Sequence, residues 1–201
     1  MMNDVDTDAL TELFNIGLHR AAASLSELTS QRVLVDLPRL WICPLSELKN
    51  KLTELLSGEL ATVHQIFGGS MAGDAVLLLE YEKAALLASV MTDGQVAGDG
   101  RIDTSAREVL AEVGNIVLGA CLSAFGNMLK VSVSFSVPRI HIESLDGLLH
   151  SLMVDTADIQ YAMVATTRFR LSQQEVGGYM IFVIGMNSLK HVNHVLAQQA
   201  E

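Results

Sequence analysis

The feature that most constrains the fold of this chain is a repeat of its own sequence at an offset of 100 residues. When residues 8–39 are aligned with residues 108–139 without a gap, eight of the 32 positions are identical. The identical residues of the first segment are Leu10, Glu12, Asn15, Ile16, Leu18, Val33, Pro38 and Arg39. Aliphatic residues often match by chance, whereas Glu, Asn, Pro and Arg do so less easily. A repeat of this length predicts two similar units that bury their apolar faces together.

Length and composition agree with one domain made of two such units. The chain has 201 residues, of which 50% are hydrophobic. This length is typical of one domain or of two small halves that share a core, and the apolar content excludes intrinsic disorder. We therefore expect a single domain over 1–201. Its internal repeats would span about 7–92 and 103–198, joined by a linker at 93–102 that contains Gly and Asp.

The charge and the cysteine count exclude several classes of protein. Thirteen basic and 23 acidic residues give a net charge of -10, whereas nucleic-acid binding normally needs a positive surface. Two cysteines are too few for a disulfide framework or a structural zinc site. The acidic N-terminal residues do not resemble a signal peptide, and no apolar run approaches the length of a membrane span. We expect a cytoplasmic protein with neither a nucleic-acid nor a membrane partner.

The hydrophobic pattern of each predicted half indicates one long helix, short strands, a short helix, two longer strands and a final helix. In the first long helix the apolar face comprises Leu10, Leu13, Phe14, Gly17, Ala21, Leu25 and Leu28. The strands are separated mostly by turns, which favours antiparallel pairing. We predict an α+β fold in which two pseudo-symmetric repeats form one largely antiparallel sheet, with long amphipathic helices packed on it.

A polar stripe lies opposite the apolar face of each long helix, because residues three or four apart project to the same side. In the first helix the stripe is Asp8, Glu12, Asn15 and His19, and in the second it is Glu108, Glu112, Asn115 and Gly119. We expect small residues beside the stripe, including Ala22 and Gly126, to face outward and let another protein surface come close. Asn is a poor helix former, so its recurrence at both places favours a function.

The spacing of this motif to a proline is also the same in both halves. Twenty-two residues separate Asn15 from Pro38 and Asn115 from Pro138. A proline at that distance is better suited to fixing the path from helix to strand than to chemistry. We expect Pro38 and Pro138 to be structural parts of the motif.

These residues resemble the two phosphatase signatures of the CheC family, within the CheC, CheX and FliY group of bacterial chemotaxis phosphatases. The matching patterns are Asp8-x3-Glu12-x2-Asn15-x22-Pro38 and Glu112-x2-Asn115-x22-Pro138. The flanking segments 14–17 and 22–28 are similar as well, and the resemblance extends over nearly the whole chain. Two signatures with matched spacing are a much more specific signal than one Glu-x-x-Asn alone.

The resemblance implies an enzyme that removes phosphate from the aspartyl phosphate of a CheY-like response-regulator receiver domain. It implies that Asn15 and Asn115 enter the receiver's active site and position the attacking water. Glu12 and Glu112 would pair with a receiver lysine. The implied docking surface around these catalytic residues comprises Asp8, His19, Ala22, Glu108 and Gly119.

The resemblance also implies that this chain binds no cofactor, because Mg²⁺ is supplied by the receiver partner. The six histidines do not change this expectation. His191 and His194 are one helical turn apart, but no carboxylate or cysteine lies near them in the sequence, so we predict a helix surface rather than a metal site.

Two departures from the family pattern distinguish the two predicted sites. The family usually has Asp or Ser four residues before the Glu, as in Asp8, whereas the second site has the longer Glu108. His19 stands where the family usually has a small residue, such as Gly119 of the second site. The longer Glu108 would disturb docking at the second site, whereas the His19 imidazole would crowd an approaching receiver at the first. We expect at least one active site, and we expect the second site to be the more active.

Two other functions remain open at this stage. The first is a non-catalytic receiver-binding module of the flagellar switch type. The two intact Glu and Asn pairs argue against it, because a module that only binds does not need an asparagine that positions water. The second is regulation through a CheD-like deamidase partner. We expect a monomer or a weak homodimer, and the sequence does not identify the target receiver.

Overall fold

A computed structural model describes residues 7–153, 160–171 and 173–199. The elements before the 92–103 connection are α1 (Thr7–Thr29), β1 (Leu34–Val35), β2 (Leu40–Pro44), α2 (Leu45–Thr53), β3 (Leu60–Gly69), β4 (Gly73–Glu80) and α3 (Tyr81–Met91). Those after it are α4 (Thr104–Leu129), β5 (Val133–Phe135), β6 (Arg139–Glu143), α5 (Leu145–Met153), β7 (Gln160–Leu171), β8 (Gln174–Gly185) and α6 (Met186–Gln199). The two series have the same order of helices and strands, while the internal repeat itself stays a prediction.

The eight described strands form one antiparallel sheet. Their order is β1-β7-β8-β4-β3-β5, and β2 also pairs with β7 while β6 pairs with β3. The short strands β1 and β2 thus pair with a strand from the second part of the chain, and β5 and β6 pair with a strand from the first. Because the short strands of each part pair with a long strand of the other part, both parts belong to one sheet. The predicted α+β fold with a largely antiparallel sheet is confirmed.

The two prolines of the motif lie at matching breaks along the edges of the sheet. Pro38 lies between β1 and β2, and Pro138 lies between β5 and β6. Proline has no N–H to donate, so it is tolerated on edge strands and at bends but not in the middle of a sheet. Each proline therefore separates two short strands that pair with the same long partner.

Both faces of the sheet are covered by helices. The larger core lies under α1, α3, α4 and α6, and a smaller one lies under α2 and α5. Along β4 the side chains alternate between them, with Leu77 and Leu79 in the larger core and Val76 and Leu78 in the smaller. This double burial explains why the central strands are nearly continuous apolar runs.

The helix α1 buries most of its predicted apolar face. Leu10, Phe14 and Ala21 are fully buried, and Gly17 faces α4. A Cβ at Gly17 would lie 2.7 Å from the Cα of Cys121, so the missing side chain lets the two long helices touch. Leu28 departs from the prediction, because it lies in the last turn of α1 and is 57% exposed.

The helix α4 is a core helix with well-defined ends. The Asp103 carboxylate accepts a hydrogen bond from the backbone N–H of Ala106 at 2.8 Å, and Lys130 ends the helix in the left-handed conformation. Burial raises the pKa of the Cys121 thiol to about 12, so this thiol is neutral at ordinary pH. Among the described helices, α4 alone has the length and composition of a membrane span. However, 56% of the apolar window is buried inside the protein.

Candidate functional site

The polar stripe of α1 lies on the outer side of that helix. Asp8, Glu12 and His19 are exposed, and Asn15 is half-buried. The Nδ2 atom of Asn15 donates a long hydrogen bond of 3.5 Å to Oε2 of Glu12, one turn earlier on the same helix. A bond at that distance is weak, so it restrains the carboxamide little. We refer to Glu12, Asn15 and their neighbours on α1 as the first site.

The polar stripe of α4 is also exposed. Glu108, Glu112 and Asn115 are exposed, and Gly119 is half-buried. A Cβ added at Gly119 would meet no atom within 4 Å, so this glycine leaves open space on the surface of the helix. We refer to Glu112, Asn115 and their neighbours on α4 as the second site.

Two small residues that we expected on the outer surface are instead buried. Ala22 is only 6% exposed, because α1 packs on β1 and β2 as well as on α4 and so buries a wider face than one stripe. Gly126 is buried too, and a Cβ there would lie 3.1 Å from the carbonyl oxygen of Val131. The prediction that Ala22 and Gly126 face outward is wrong, and Ala22 does not present its side chain to a docking partner.

The second site includes a buried residue that the sequence analysis missed. Gln65 of β3 is 1% exposed, and its Nε2 atom donates to the backbone carbonyl of Ser136 at 2.9 Å and to Oδ1 of Asn115 at 3.3 Å. Gln65 occurs where the inward-facing positions of β3 are otherwise apolar, as at Val63 and Phe67. A lone amide in that series was the available sequence signal, since buried polar residues need partners.

A glycine brings α4 close to β3 beside this hydrogen bond. Gly114 directly precedes Asn115, and a Cβ at Gly114 would lie 2.7 Å from the Cβ of Val63. Real side chains do not approach that closely, so only glycine allows the helix this position. Because Val63 and Gln65 face the same side of β3, the close approach at Gly114 explains why Asn115 lies within reach of Gln65.

The first site differs both at the residue before its asparagine and at the strand residue that would correspond to Gln65. Asn15 follows Phe14, whose ring packs edge-on against Phe125 and Phe182 with centroids 5.1 and 5.2 Å away. The strand position that corresponds to Gln65 is Thr167. Each of the two lies two residues before a phenylalanine, and these phenylalanines pair with Phe135 and Val35 of the short edge strands.

One opening beside the sheet includes neither site. A cleft of about 570 Å³ lies on the α2 side and is lined in part by Arg39, Tyr179 and the Lys83–Glu80 ion pair. None of the predicted site residues lines it. Both sites are thus open helix surfaces, which suit contact with another macromolecule better than enclosure of a small substrate.

The described residues bring together no group of three or more His, Cys, Asp or Glu side chains that could hold a metal ion. Both cysteines are buried, and burial raises the pKa of Cys43 as it does that of Cys121. A buried neutral thiol is a poor nucleophile. The polar groups of the two stripes are therefore carboxylates and carboxamides, together with the His19 imidazole at the first site.

Relatives of this chain include two proteins from Bacillus subtilis (strain 168). No protein-family model matches the sequence. The CheY-P phosphatase CheC is 22% identical over 194 residues, which cover 91% of this chain and 90% of CheC. The flagellar motor switch phosphatase FliY is 23% identical over 146 residues, which cover 70% of this chain but only 36% of FliY. The chain therefore matches CheC nearly end to end and only about a third of FliY.

Solved structures show the same fold at low sequence identity. FliY of Thermotoga maritima has a TM-score of 0.77 and 18% identity, covering 98% of this chain and 99% of that one. The FliM middle domain of Vibrio alginolyticus has a TM-score of 0.64 and 13% identity, covering 92% and 99%. The similarity to CheC along nearly the whole sequence supports the CheC/CheX/FliY superfamily, and the solved structures show that the fold is shared.

Proposed function

We propose that this protein is a phosphatase that hydrolyses the aspartyl phosphate of a CheY-like response-regulator receiver domain. The observation that carries the proposal is the presence of the same Glu-x-x-Asn pair on the outer side of two long helices, each of which buries most of its apolar face. Both glutamates and Asn115 are exposed, and Asn15 is half-buried. The relative matched over most of both chains is named a CheY-P phosphatase, which supports the same activity here.

In the proposed reaction, the oxygen of a water molecule attacks the phosphorus atom, and the bond from phosphorus to the aspartate oxygen breaks. The products are inorganic phosphate and the free receiver carboxylate. An acyl phosphate is already activated, so catalysis needs mainly the correct placement of the water. The carboxamides of Asn15 and Asn115 have one acceptor and two donor hydrogens, which suffice to orient it.

Glu12 and Glu112 would serve docking rather than proton transfer. A carboxylate held against the phosphoryl group would repel its charge, whereas one helical turn away it can pair with a receiver lysine. The Mg²⁺ ion that neutralises the phosphoryl charge would belong to the receiver. The net charge of -10 suits a partner surface that carries a lysine and a bound cation.

The direct test is the loss of phosphate from candidate receivers that have been phosphorylated with radiolabelled phosphate. A catalytic amount of the wild-type protein should accelerate this loss in the presence of Mg²⁺. The double variant Asn15→Ala/Asn115→Ala should still bind the same receiver, because it keeps both docking glutamates. It should not accelerate the loss of phosphate, because both water-positioning carboxamides are gone. If no receiver loses phosphate faster with wild-type protein, the phosphatase proposal is wrong.

A non-catalytic receiver-binding module is the second candidate. The structural match to a FliM middle domain over 92% of this chain favours it, although that likeness concerns the fold alone. Under this alternative the protein would bind an activated receiver, and phosphate loss would continue at the receiver's own rate. A third role, regulation by a CheD-like partner, would show as a change of the measured rate when such a protein is added.

A further inference from the structure

We infer that Gln65 is a positioning residue that holds the carboxamide of Asn115 in one orientation before a receiver binds. This inference rests on the proposed phosphatase function. It concerns a residue that lies 50 positions away from Asn115 in the sequence and that contacts it only through the packing of α4 on β3.

The orientation of both amides follows from one backbone carbonyl. The Ser136 carbonyl can only accept, so the Gln65 group that faces it at 2.9 Å must be the NH₂ group. The same nitrogen lies 3.3 Å from Asn115, and the Asn115 atom facing it must then be the acceptor Oδ1. Asn115 therefore directs its own NH₂ group away from Gln65.

This arrangement limits rotation of the Asn115 carboxamide before the receiver binds, so less of its freedom has to be lost in the catalytic complex. The Asn115 carboxamide accepts a hydrogen bond that is long at 3.3 Å, but its donor is a buried amide that is itself fixed at 2.9 Å on the Ser136 carbonyl. It keeps two donor hydrogens and the second lone pair of Oδ1 for water and receiver groups. A group held in its working orientation before binding loses less freedom when the complex forms. Gln65 would thus act through Asn115 without touching the receiver.

The amide of Gln65 occupies a core position, where a polar group is costly unless it is paired. Its Oε1 atom is buried and has no hydrogen-bond partner within the described part of the chain. A buried unpaired carbonyl is unfavourable, so an apolar side chain would suit this core position better. Its two donor contacts, to the Ser136 carbonyl at 2.9 Å and to Asn115 at 3.3 Å, are what an amide supplies at this position and an apolar side chain could not.

Among the described residues, the first site shows no equivalent of the contact between Gln65 and Asn115. Thr167, at the strand position that corresponds to Gln65, is 3% exposed, and its hydroxyl has no partner among the residues that the structure describes. Its side chain is shorter than that of glutamine. Asn15 bonds weakly to Glu12 instead, so its carboxamide depends on its own helix for orientation. Thr167 therefore provides a matched control for Gln65.

The test compares Gln65→Met with Thr167→Val in the full-length protein, using phosphate loss from a phosphorylated receiver. Gln65→Met keeps the length of the side chain and removes the donor. We expect it to lower kcat by about tenfold while KM changes by less than about twofold, since docking groups are untouched. Thr167→Val should leave both parameters unchanged, and thermal unfolding should show that both variants fold.

A double-mutant cycle separates positioning from a general effect on the core. In an Asn115→Ala background, Gln65→Met should cause no further loss, because the group that it positions is gone. Equal losses in both backgrounds would mean that Gln65 acts on the fold and not through Asn115. Wild-type kcat in Gln65→Met would also overturn the inference.

A second measurement tests the hydrogen bond without any phosphatase activity. In a ¹H–¹⁵N NMR spectrum, the side-chain NH₂ signals of Gln65 should shift in Asn115→Ala and keep their positions in Thr167→Val. If the Gln65 NH₂ signals do not shift in Asn115→Ala, the inference is wrong, even if the protein proves to be an active phosphatase. If they shift while no receiver is dephosphorylated, the contact stands, whereas the phosphatase proposal and the catalytic part of this inference fail.

Discussion

Asn15 and Asn115 have the same glutamate three residues before them and the same spacing to a proline, yet their surroundings differ. Asn115 is connected through Gln65 to the backbone of Ser136, a part of the edge segment that follows its own helix. Asn15 is connected only weakly, to a glutamate of its own helix. A motif that occurs twice on the surface can thus be connected to a neighbouring strand at one place and only to its own helix at the other.

The residue just before each asparagine accounts for much of this difference. Gly114 has no side chain, and α4 therefore lies so close to β3 that a Cβ would overlap Val63. Phe14 occupies the matching position of α1 and fills the core between the long helices and β8 through Phe125 and Phe182. One helix uses this position for close approach to a strand, and the other uses it for aromatic packing.

The largest expected difference between the sites is catalytic. We expect Asn115→Ala to lower the rate constant for receiver dephosphorylation by about tenfold or more, because the better-oriented carboxamide places the water. Asn15→Ala should lower it by about twofold or less. Radiolabelled-phosphate decay measures both, and equal or reversed losses would contradict the preference for the second site.

The next effect concerns the approach of α4 to β3. Gly114→Ala should lower the free energy of unfolding by about 1–3 kcal/mol, because the new methyl group meets Val63. Gly119→Ala, on the same helix but with open space around the new atom, should raise it by up to about 1 kcal/mol. Urea denaturation monitored by circular dichroism measures both changes. A Gly114→Ala protein as stable as wild type would show that the close approach is not needed.

A smaller difference is expected in docking. Glu112→Gln should raise KM for the phosphorylated receiver by about two- to fivefold at low salt, the range expected for one exposed ion pair. The effect should shrink as salt is added, because exposed charges are screened. Glu12→Gln should change KM less if the second site carries most of the turnover. A fall of kcat at constant KM would argue that Glu112 acts in the chemical step instead.

The smallest effect concerns His19. With the second site silenced by Asn115→Ala, His19→Ala should raise the remaining activity by about twofold, the scale of a surface substitution. The exposed imidazole would no longer crowd the receiver. Gly119→His, made in the wild-type background, is the reciprocal change and should lower activity. An unchanged rate in both variants would show that His19 does not cause the difference in activity between the two sites.

Local patterns were sufficient to predict the helices, the antiparallel sheet and the exposure of Glu12 and Glu112. Hydrophobic periodicity depends on neighbouring residues, so it can be read without knowing what the element packs against. Ala22 shows the limit of this reasoning, because its burial depends on a second neighbour of α1. Gln65 shows it again, since nothing in the sequence of β3 names a partner 50 residues away.

The order of residues along each long helix was enough to place two Glu and Asn pairs on outer surfaces, and the acidic composition was enough to argue against nucleic acid. The unequal support of the two asparagines came from long-range packing. It depends on how near α4 lies to β3 and on which side chains then meet, as at Gly114 and Gln65. A hydrogen bond acts over about 3 Å, so small differences in helix position decide whether a repeated residue is bonded to a buried strand residue, as Asn115 is, or to its own helix, as Asn15 is.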